Sequence, residues 1–187
     1  MITIKTKEEI EILRQGGKIL ADILADLASF VAPGITTMQI NDRVNKLCKE
    51  KDATPVFLNY KPDGAPRPYP ASICVSINDE VVHGIPNEKP RVLKEGDVVS
   101  LDMGILYKKL ITDSAVTVGV GKIDAKAEKL LKINEQALYA GIDAAVVGAH
   151  TGDIGYAVEK VVKPPQNPVV RNMRHSGERI FPFSETA

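Results

Sequence analysis

Two aspartates in neighbouring β-like runs are the residues best placed to do chemistry. The first run covers Val98–Leu106 and carries Asp102, and the next covers Lys109–Gly119 and carries Asp113. A hairpin centred on Tyr107-Lys108 predicts that the two aspartates face each other, with Cβ atoms roughly 4.5–5.5 Å apart. Like charges at that distance destabilise a sheet, so this pair requires something that neutralises it.

Three arrangements would account for this pair of aspartates. Two carboxylates can share one proton, as in an acid dyad. They can instead bind a divalent cation, or two cations roughly 3.5–4 Å apart bridged by carboxylates. The third arrangement is a half-exposed hairpin in which both aspartates face water and do no chemistry. The spacing leaves all three open, and among the chemical ones it favours a metal-assisted hydrolase.

The bulk composition is that of a globular chain. It has 187 residues, of which 44% are hydrophobic and 26% charged, enough to bury a sizeable core. Lys+Arg and Asp+Glu both number 24, a balance that argues against nucleic-acid binding. No secretory signal precedes Cys48 and Cys74, so we expect reduced thiols and a cytoplasmic protein. We expect no membrane span, since no run of about 18 apolar residues occurs.

Helices are predicted on both sides of the hairpin. Thr6 with Glu9 predicts a capping box for a long helix, and Thr36 with Gln39 predicts one for a second helix. After the hairpin, a long helix and then a shorter one follow the same design, which indicates an internal pseudo-twofold. The other predicted features are strands at Thr54–Tyr60 and Ser72–Ile77, a four-proline loop at Lys61–Pro70, an N-cap at Asp124, and the last helix at Thr151–Val162.

Four segments around the aspartates form a specific series of motifs. They are Tyr69–Asn78, Val81–Pro86, Leu93–Val99 and Thr112–Ser114. In this order they resemble type I methionine aminopeptidases, metal-dependent enzymes that remove the initiator Met from nascent proteins. The resemblance covers about residues 3–162 and implies an α+β pita-bread fold, in which two halves related by a pseudo-twofold enclose a metal site. It implies one domain over residues 1–187, with an incomplete second half and a divergent tail over 163–187.

The resemblance also implies roles for the aspartates and for His83. Asp102 would bind one of two divalent cations through both carboxylate oxygens, and Asp113 would bridge the two. The implied cations are Co, Mn, Fe or Zn, and together they would activate water for attack on the scissile carbonyl. His83 would contact the substrate and help to stabilise the tetrahedral intermediate. Without the resemblance, a histidine in such an apolar segment is more often a packed structural residue.

The implied substrate is the N-terminal Met of nascent peptides, near the ribosome. Tyr60, Tyr69 and Cys74 would line an apolar pocket for the Met side chain. For each of these residues, ordinary core or loop packing is the alternative. The part played by Phe57 in the shape of the pocket stays open.

The family's remaining metal ligands, one histidine and two glutamates, are harder to place. His175 stands at about the position of the family's histidine, although Arg174 replaces a flanking glycine. The sequence changes character near Asn172, which suggests a frameshifted or truncated gene and an inactive fragment. The alternatives are a short pita-bread protein that acts by binding and, not favoured here, a proline-specific relative. An incomplete second half also predicts self-association through an exposed sheet edge.

Overall fold

The computed structural model describes residues 4–163 of the chain. This part forms two compact units, one ending at Ile123 and one beginning at Asp124. The single domain predicted over residues 1–187 stays a prediction, and the tail after Lys163 lies outside the described residues. The elements are α1 (Lys7–Phe30), α2 (Thr37–Glu50), β1 (Thr54–Pro55), β2 (Cys74–Ile77), β3 (Val98–Tyr107), β4 (Leu110–Gly119), α3 (Ala125–Ala144) and α4 (Thr151–Val162).

Both predicted capping boxes are confirmed. The Thr6 hydroxyl accepts the backbone N–H of Glu9, and the Glu9 carboxylate accepts the backbone N–H of Thr6. Thr36 and Gln39 exchange the same pair of hydrogen bonds at the start of α2. Each box satisfies backbone donors that the first turn of a helix leaves free, so the sequence fixes where both helices begin.

The first unit is built around an antiparallel sheet with β3 at its centre. Strand β4 pairs along the whole of one edge of β3, while β1 and β2 pair with successive stretches of the other edge. Within residues 4–163, β4 pairs with β3 alone, so its outer edge carries no strand there.

The sheet has one apolar and one largely polar face, because side chains alternate along each strand. On β3, Val99, Leu101, Met103 and Ile105 are fully buried. They form the core with residues of α1 and α2, among them Leu20, Ile23, Leu27, Ile40 and Val44. The intervening β3 residues, which include Ser100, Asp102 and Gly104, project from the opposite face.

The hairpin register differs from the prediction. Lys108 and Lys109 have φ values of 45° and 71° and form a two-residue turn, so Tyr107 pairs with Leu110. Two consecutive positive φ values are the signature of the type I′ turn, whose twist matches that of antiparallel strands. The predicted joint at Tyr107-Lys108 is therefore wrong by one residue, and the predicted direct pairing of Asp102 with Asp113 is wrong by two, because Asp102 pairs with Ala115.

The second unit, over its described residues, is a pair of packed helices. Asp124 caps α3 by accepting the backbone N–H groups of Lys126 and Ala127, as predicted. The helices pack through a small apolar cluster made of Ala137, Val162, Leu130, Ile133, Val158 and Val161. No helix in the described part of the chain has the length and apolar character that a membrane span requires.

Candidate metal and substrate site

Asp102 and Asp113 lie diagonally on the polar face of the β3–β4 hairpin. Asp102 pairs with Ala115, and Asp113 pairs with Gly104. All four residues lie on the same face, since paired residues share a face and residues two apart return to it. Diagonal neighbours are roughly 7–8 Å apart at the backbone, within reach of side chains that lean toward each other.

Gly104 gives the Asp113 carboxylate the room to lean. A Cβ at this position would lie 2.8 Å from Asp113 Oδ2 and 2.8 Å from Val56 Cγ2. Real Cβ atoms are almost never found that close to other heavy atoms, so the carboxylate occupies space that any larger residue would need. The missing side chain lets Asp113 reach across the β3 backbone that carries Asp102.

The electrostatics show that the two carboxylates affect each other. Partial burial by neighbouring atoms, and then the negative charge of Asp102, raise the pKa of Asp113 to about 6. A raised carboxyl pKa means that the charged form is disfavoured in the metal-free protein. A divalent cation would offset this charge, and carboxylate oxygens are ligands for such cations. The pair therefore fits a metal as two of its ligands.

The described residues supply only these two carboxylates to the metal site. Among residues 4–163, no three His, Cys, Asp or Glu side chains come together in a way that could hold a metal ion. Catalytic zinc sites usually have three protein ligands. His175 lies outside the described residues, so its assignment as a ligand stays a prediction.

Cys74 and Tyr69 lie beside Asp102. Cys74 pairs directly with Asp102 across β2 and β3, and only 3% of its surface is exposed. The Tyr69 hydroxyl lies 3.0 Å from the carbonyl oxygen of Gly84 and 3.2 Å from that of Ile73. Burial raises the pKa of Tyr69, and the neighbouring Cys74 adds to the effect. The tyrosine therefore stays a neutral hydrogen-bond donor next to the carboxylates.

Tyr60 and Phe57 complete this side of the site. The Tyr69 N–H donates to the Tyr60 carbonyl at 2.8 Å, and the Asn59 N–H donates to the Tyr69 carbonyl at 2.8 Å. The Tyr60 side chain is 60% exposed. Phe57 meets the Tyr69 ring edge to face, with centroids 6.4 Å apart. Phe57 also approaches the position where a Gly104 Cβ would lie, to 3.4 Å, so it is a neighbour of the aspartates that sequence reasoning left unassigned.

His83 occupies the segment between β2 and β3 with an exposed side chain. Its φ is 54°, in the left-handed region that residues other than glycine rarely adopt. The Gly84 carbonyl next to it accepts hydrogen bonds from the Val75 N–H at 2.9 Å and the Tyr69 hydroxyl at 3.0 Å. His83 is therefore the residue before Gly84, whose carbonyl is hydrogen-bonded to Tyr69, one of the predicted pocket residues.

Comparison with known proteins identifies the class to which this fold and site belong. The model of metallopeptidase family M24 matches residues 11–178. The chain therefore belongs to metallopeptidase family M24. The proteins that it is similar to include methionine aminopeptidases. That of Aquifex aeolicus is 42% identical over 162 residues, which cover 87% of this chain and 62% of the relative. That of Clostridium acetobutylicum is 39% identical, with 92% and 66% covered.

Solved structures agree with the sequence comparison. The methionine aminopeptidase of Rickettsia prowazekii superposes with a TM-score of 0.79 at 36% identity, covering 87% of this chain and 62% of that one. An Xaa-Pro dipeptidase from Bacillus anthracis superposes with a TM-score of 0.70 at 24% identity, which shows a shared fold alone. The predicted α+β pita-bread fold is confirmed. The chain spans less than two thirds of the length of these relatives, in agreement with the predicted incomplete second half.

Proposed function

We propose that this chain is a methionine aminopeptidase, a hydrolase that removes the N-terminal Met from nascent proteins in a metal-dependent reaction. The observation that carries the proposal is the placement of Asp102 and Asp113. The two carboxylates share one sheet face, and burial together with the charge of Asp102 raises the pKa of Asp113. In a chain of the M24 family, such a pair would supply two of the ligands of a metal site.

Asp102, Asp113 and His175 would be ligands of the metal site. The site would hold two divalent cations, which would be Co, Mn, Fe or Zn. Bound cations supply a Lewis acid for the scissile carbonyl and an activated water. The carboxylates of Asp102 and Asp113 would supply negative charge that balances the positive charge of the cations. The Tyr69 hydroxyl donates a hydrogen bond toward Gly84 and so adds no negative charge beside them.

The substrate would lie across the tyrosines and His83. Tyr60, Tyr69 and Cys74 would form an apolar recess for a Met side chain. Tyr60, whose side chain is exposed, would form its outer part. The exposed His83 imidazole is free to donate a hydrogen bond to the substrate carbonyl, where negative charge develops during attack. The natural substrates would be nascent peptides near the ribosome, in the cytoplasm.

Release of Met from the peptide Met-Ala-Ser, with Co²⁺ or Mn²⁺ added, tests this function. We expect release by the unchanged chain and by Asp143→Asn, which removes an exposed carboxylate of α3. Asp113→Asn should abolish it. Metal-dependent release that survives in Asp113→Asn would overturn the proposed site. No release by any of the three would contradict the proposed activity and leave an inactive fragment or a non-catalytic binding protein.

Self-association is a separate part of the proposal. The outer edge of β4 carries no strand within the described residues, and open edges pair readily with other chains. We expect sedimentation velocity to show dimers or larger species that increase with concentration. A compact monomer at all concentrations would contradict this.

A further inference from the structure

The segment between β2 and β3 holds His83 in a conformation that needs support. Its φ of 54° belongs to the left-handed region, which is unfavourable for a residue with a Cβ. Such conformations persist only where the surrounding structure imposes them. The contacts on each side of His83 therefore show what holds its backbone in this conformation.

The support on the C-terminal side comes from Gly84. Its N–H donates to the Ser76 hydroxyl at 3.2 Å, and its carbonyl accepts the Val75 N–H at 2.9 Å. A Cβ on Gly84 would lie 2.1 Å from the Val75 carbonyl oxygen, so only glycine permits this approach. Gly84 is thereby attached to β2 through both its N–H and its carbonyl group.

The support on the N-terminal side comes from Glu80. Its Oε2 atom accepts the Ile77 N–H at 2.9 Å, which closes a turn at the end of β2. The same carboxylate forms two hydrogen bonds with the Arg91 guanidinium, of 2.6 and 2.7 Å. Arg91 follows His83 in the chain, so the ion pair joins the two ends of the segment that carries the histidine.

Arg91 is itself fixed to the start of α2. Its N–H donates to the Thr37 hydroxyl at 3.1 Å, and its carbonyl accepts the Thr37 N–H at 2.9 Å. The Thr37 hydroxyl donates in turn to the Pro86 carbonyl at 2.8 Å, and Thr37 is completely buried. Hydrogen bonds therefore connect Thr37, at the start of α2, through Arg91 to Glu80.

We propose that Glu80 and Arg91 are positioning residues for His83. Their bidentate ion pair connects the segment that carries His83 to the buried Thr37. We expect this connection to hold the imidazole in position for the substrate. Paired planar groups of this kind are stronger and more specific in geometry than single ion pairs. The hydrogen bonds from Arg91 also lower the pKa of Glu80, so the carboxylate stays ionised. The role rests on the proposed function, in which His83 contacts the substrate.

A second bidentate pair in the same region is a natural control. Arg67 and Glu88 also form two hydrogen bonds, and Glu88 lies on the same segment as Glu80. Arg67, however, belongs to the proline-containing loop between Tyr60 and Tyr69. Glu88→Ala therefore removes the same chemistry without touching the connection from α2 to Glu80.

The first test uses NMR on the metal-free chain, with the His83 ring signal assigned from a His83→Asn spectrum. Glu80→Ala should shift that signal and speed exchange of the Gly84 N–H about tenfold, the scale of losing one charge-assisted hydrogen bond. Glu80→Gln keeps an acceptor for Ile77 and should give an intermediate effect, and it serves if the alanine variant does not fold. Glu88→Ala should leave both observables unchanged. Equal effects of Glu80→Ala and Glu88→Ala, or none, would overturn the proposal.

The second test separates positioning from binding. With metal added, Glu80→Ala should lower kcat about tenfold and change KM little, since Tyr60, Tyr69 and Cys74 keep their places. Arg91→Lys keeps the charge but not the planar fork, so it should recover part of the loss. A rise in KM alone would count against a role through His83. If the unchanged chain releases no Met, the proposed function fails, and the NMR comparison still decides the inference.

Discussion

The two helix pairs of this chain share a local design but differ in what they bury. Helices α1 and α2 cover a sheet, and their apolar stripes join a continuous core with β2 and β3. Helices α3 and α4 also pair a long helix with a short one. In the described part of the chain, however, their cluster has only Ala137 and Val162 among its buried members. Exposed large apolar residues include Tyr139, Ile142, Val146, Val147 and Tyr156.

The difference shows that apolar periodicity and capping residues are enough to form a helix, whereas a large buried core also requires the apolar face of a sheet. Capping residues begin α3 as they begin α1, and both are regular helices. Helices α1 and α2 share their core with the sheet of the first unit, and a sheet offers a broad apolar surface against which whole side chains are buried. We therefore expect stability to depend strongly on the first pair and weakly on the second.

The largest change in the free energy of unfolding should come from truncating a buried side chain of α1 or α2. Leu27 on α1 is completely buried, and Leu27→Ala should reduce the free energy of unfolding by about 2–5 kcal/mol through lost burial and a cavity. Leu138 on α3 is only partly buried, and Leu138→Ala should cost about 1 kcal/mol or less. Urea unfolding followed by circular dichroism measures both. Equal losses would show that the second pair is as well packed as the first.

A glycine in each unit gives the next comparison. Gly84→Ala forces a Cβ against the Val75 carbonyl and should destabilise the fold by about 1–3 kcal/mol or more. Gly155→Ala lies inside α4, where no described atom comes within 4 Å of the new Cβ, so better helix propensity should stabilise it by up to about 1 kcal/mol. Thermal unfolding of both variants gives the signs. A neutral Gly84→Ala would mean that His83 is held less tightly than its contacts indicate.

Much of the fold follows from local signals, whereas the site depends on one turn. Capping at Thr6, Thr36 and Asp124 predicts the helix starts because side chain and backbone satisfy each other within one turn. The hairpin turn is different, since lysine at positive φ gives no signal comparable to Asn-Gly. Placing the turn at Tyr107-Lys108 shifted the register and made Asp102 and Asp113 appear directly opposed. Their shared face survived because the shift moved the pairing by two residues, which returns a side chain to the same face.

Other features lie beyond local reasoning for physical reasons. The predicted strand Thr54–Tyr60 pairs only at Thr54–Pro55, because Phe57 to Tyr60 turn away to meet Tyr69. That encounter depends on a loop of eight intervening residues, Lys61–Pro68, and no pattern in the sequence states where such a loop returns. The connection from Thr37 through Arg91 to Glu80 is equally hidden, because its partners are distant in sequence.

A smaller effect should appear in the pH dependence of the unfolding free energy of the metal-free chain. Burial and the neighbouring Asp102 charge raise the pKa of Asp113 from its ordinary 3.8 to about 6 in the folded chain, so ionisation of this group opposes folding. Relative to Asp113→Asn, wild type should therefore lose stability as pH rises from about 4 through 6. Asp113→Asn should lack that loss, with a difference below about 1 kcal/mol because the side chain stays partly in water. Urea unfolding with a chelator present measures this, and parallel pH curves would contradict it.

Calorimetric titration of Mn²⁺ into the metal-free chain tests the central claim most directly. The account predicts saturable binding by wild type and by Asp143→Asn, whose carboxylate lies exposed on α3. It predicts that binding is lost in Asp113→Asn, because one half of the carboxylate pair is gone. Equal binding by all three chains, or none by wild type, would contradict the assignment of Asp102 and Asp113 as metal ligands.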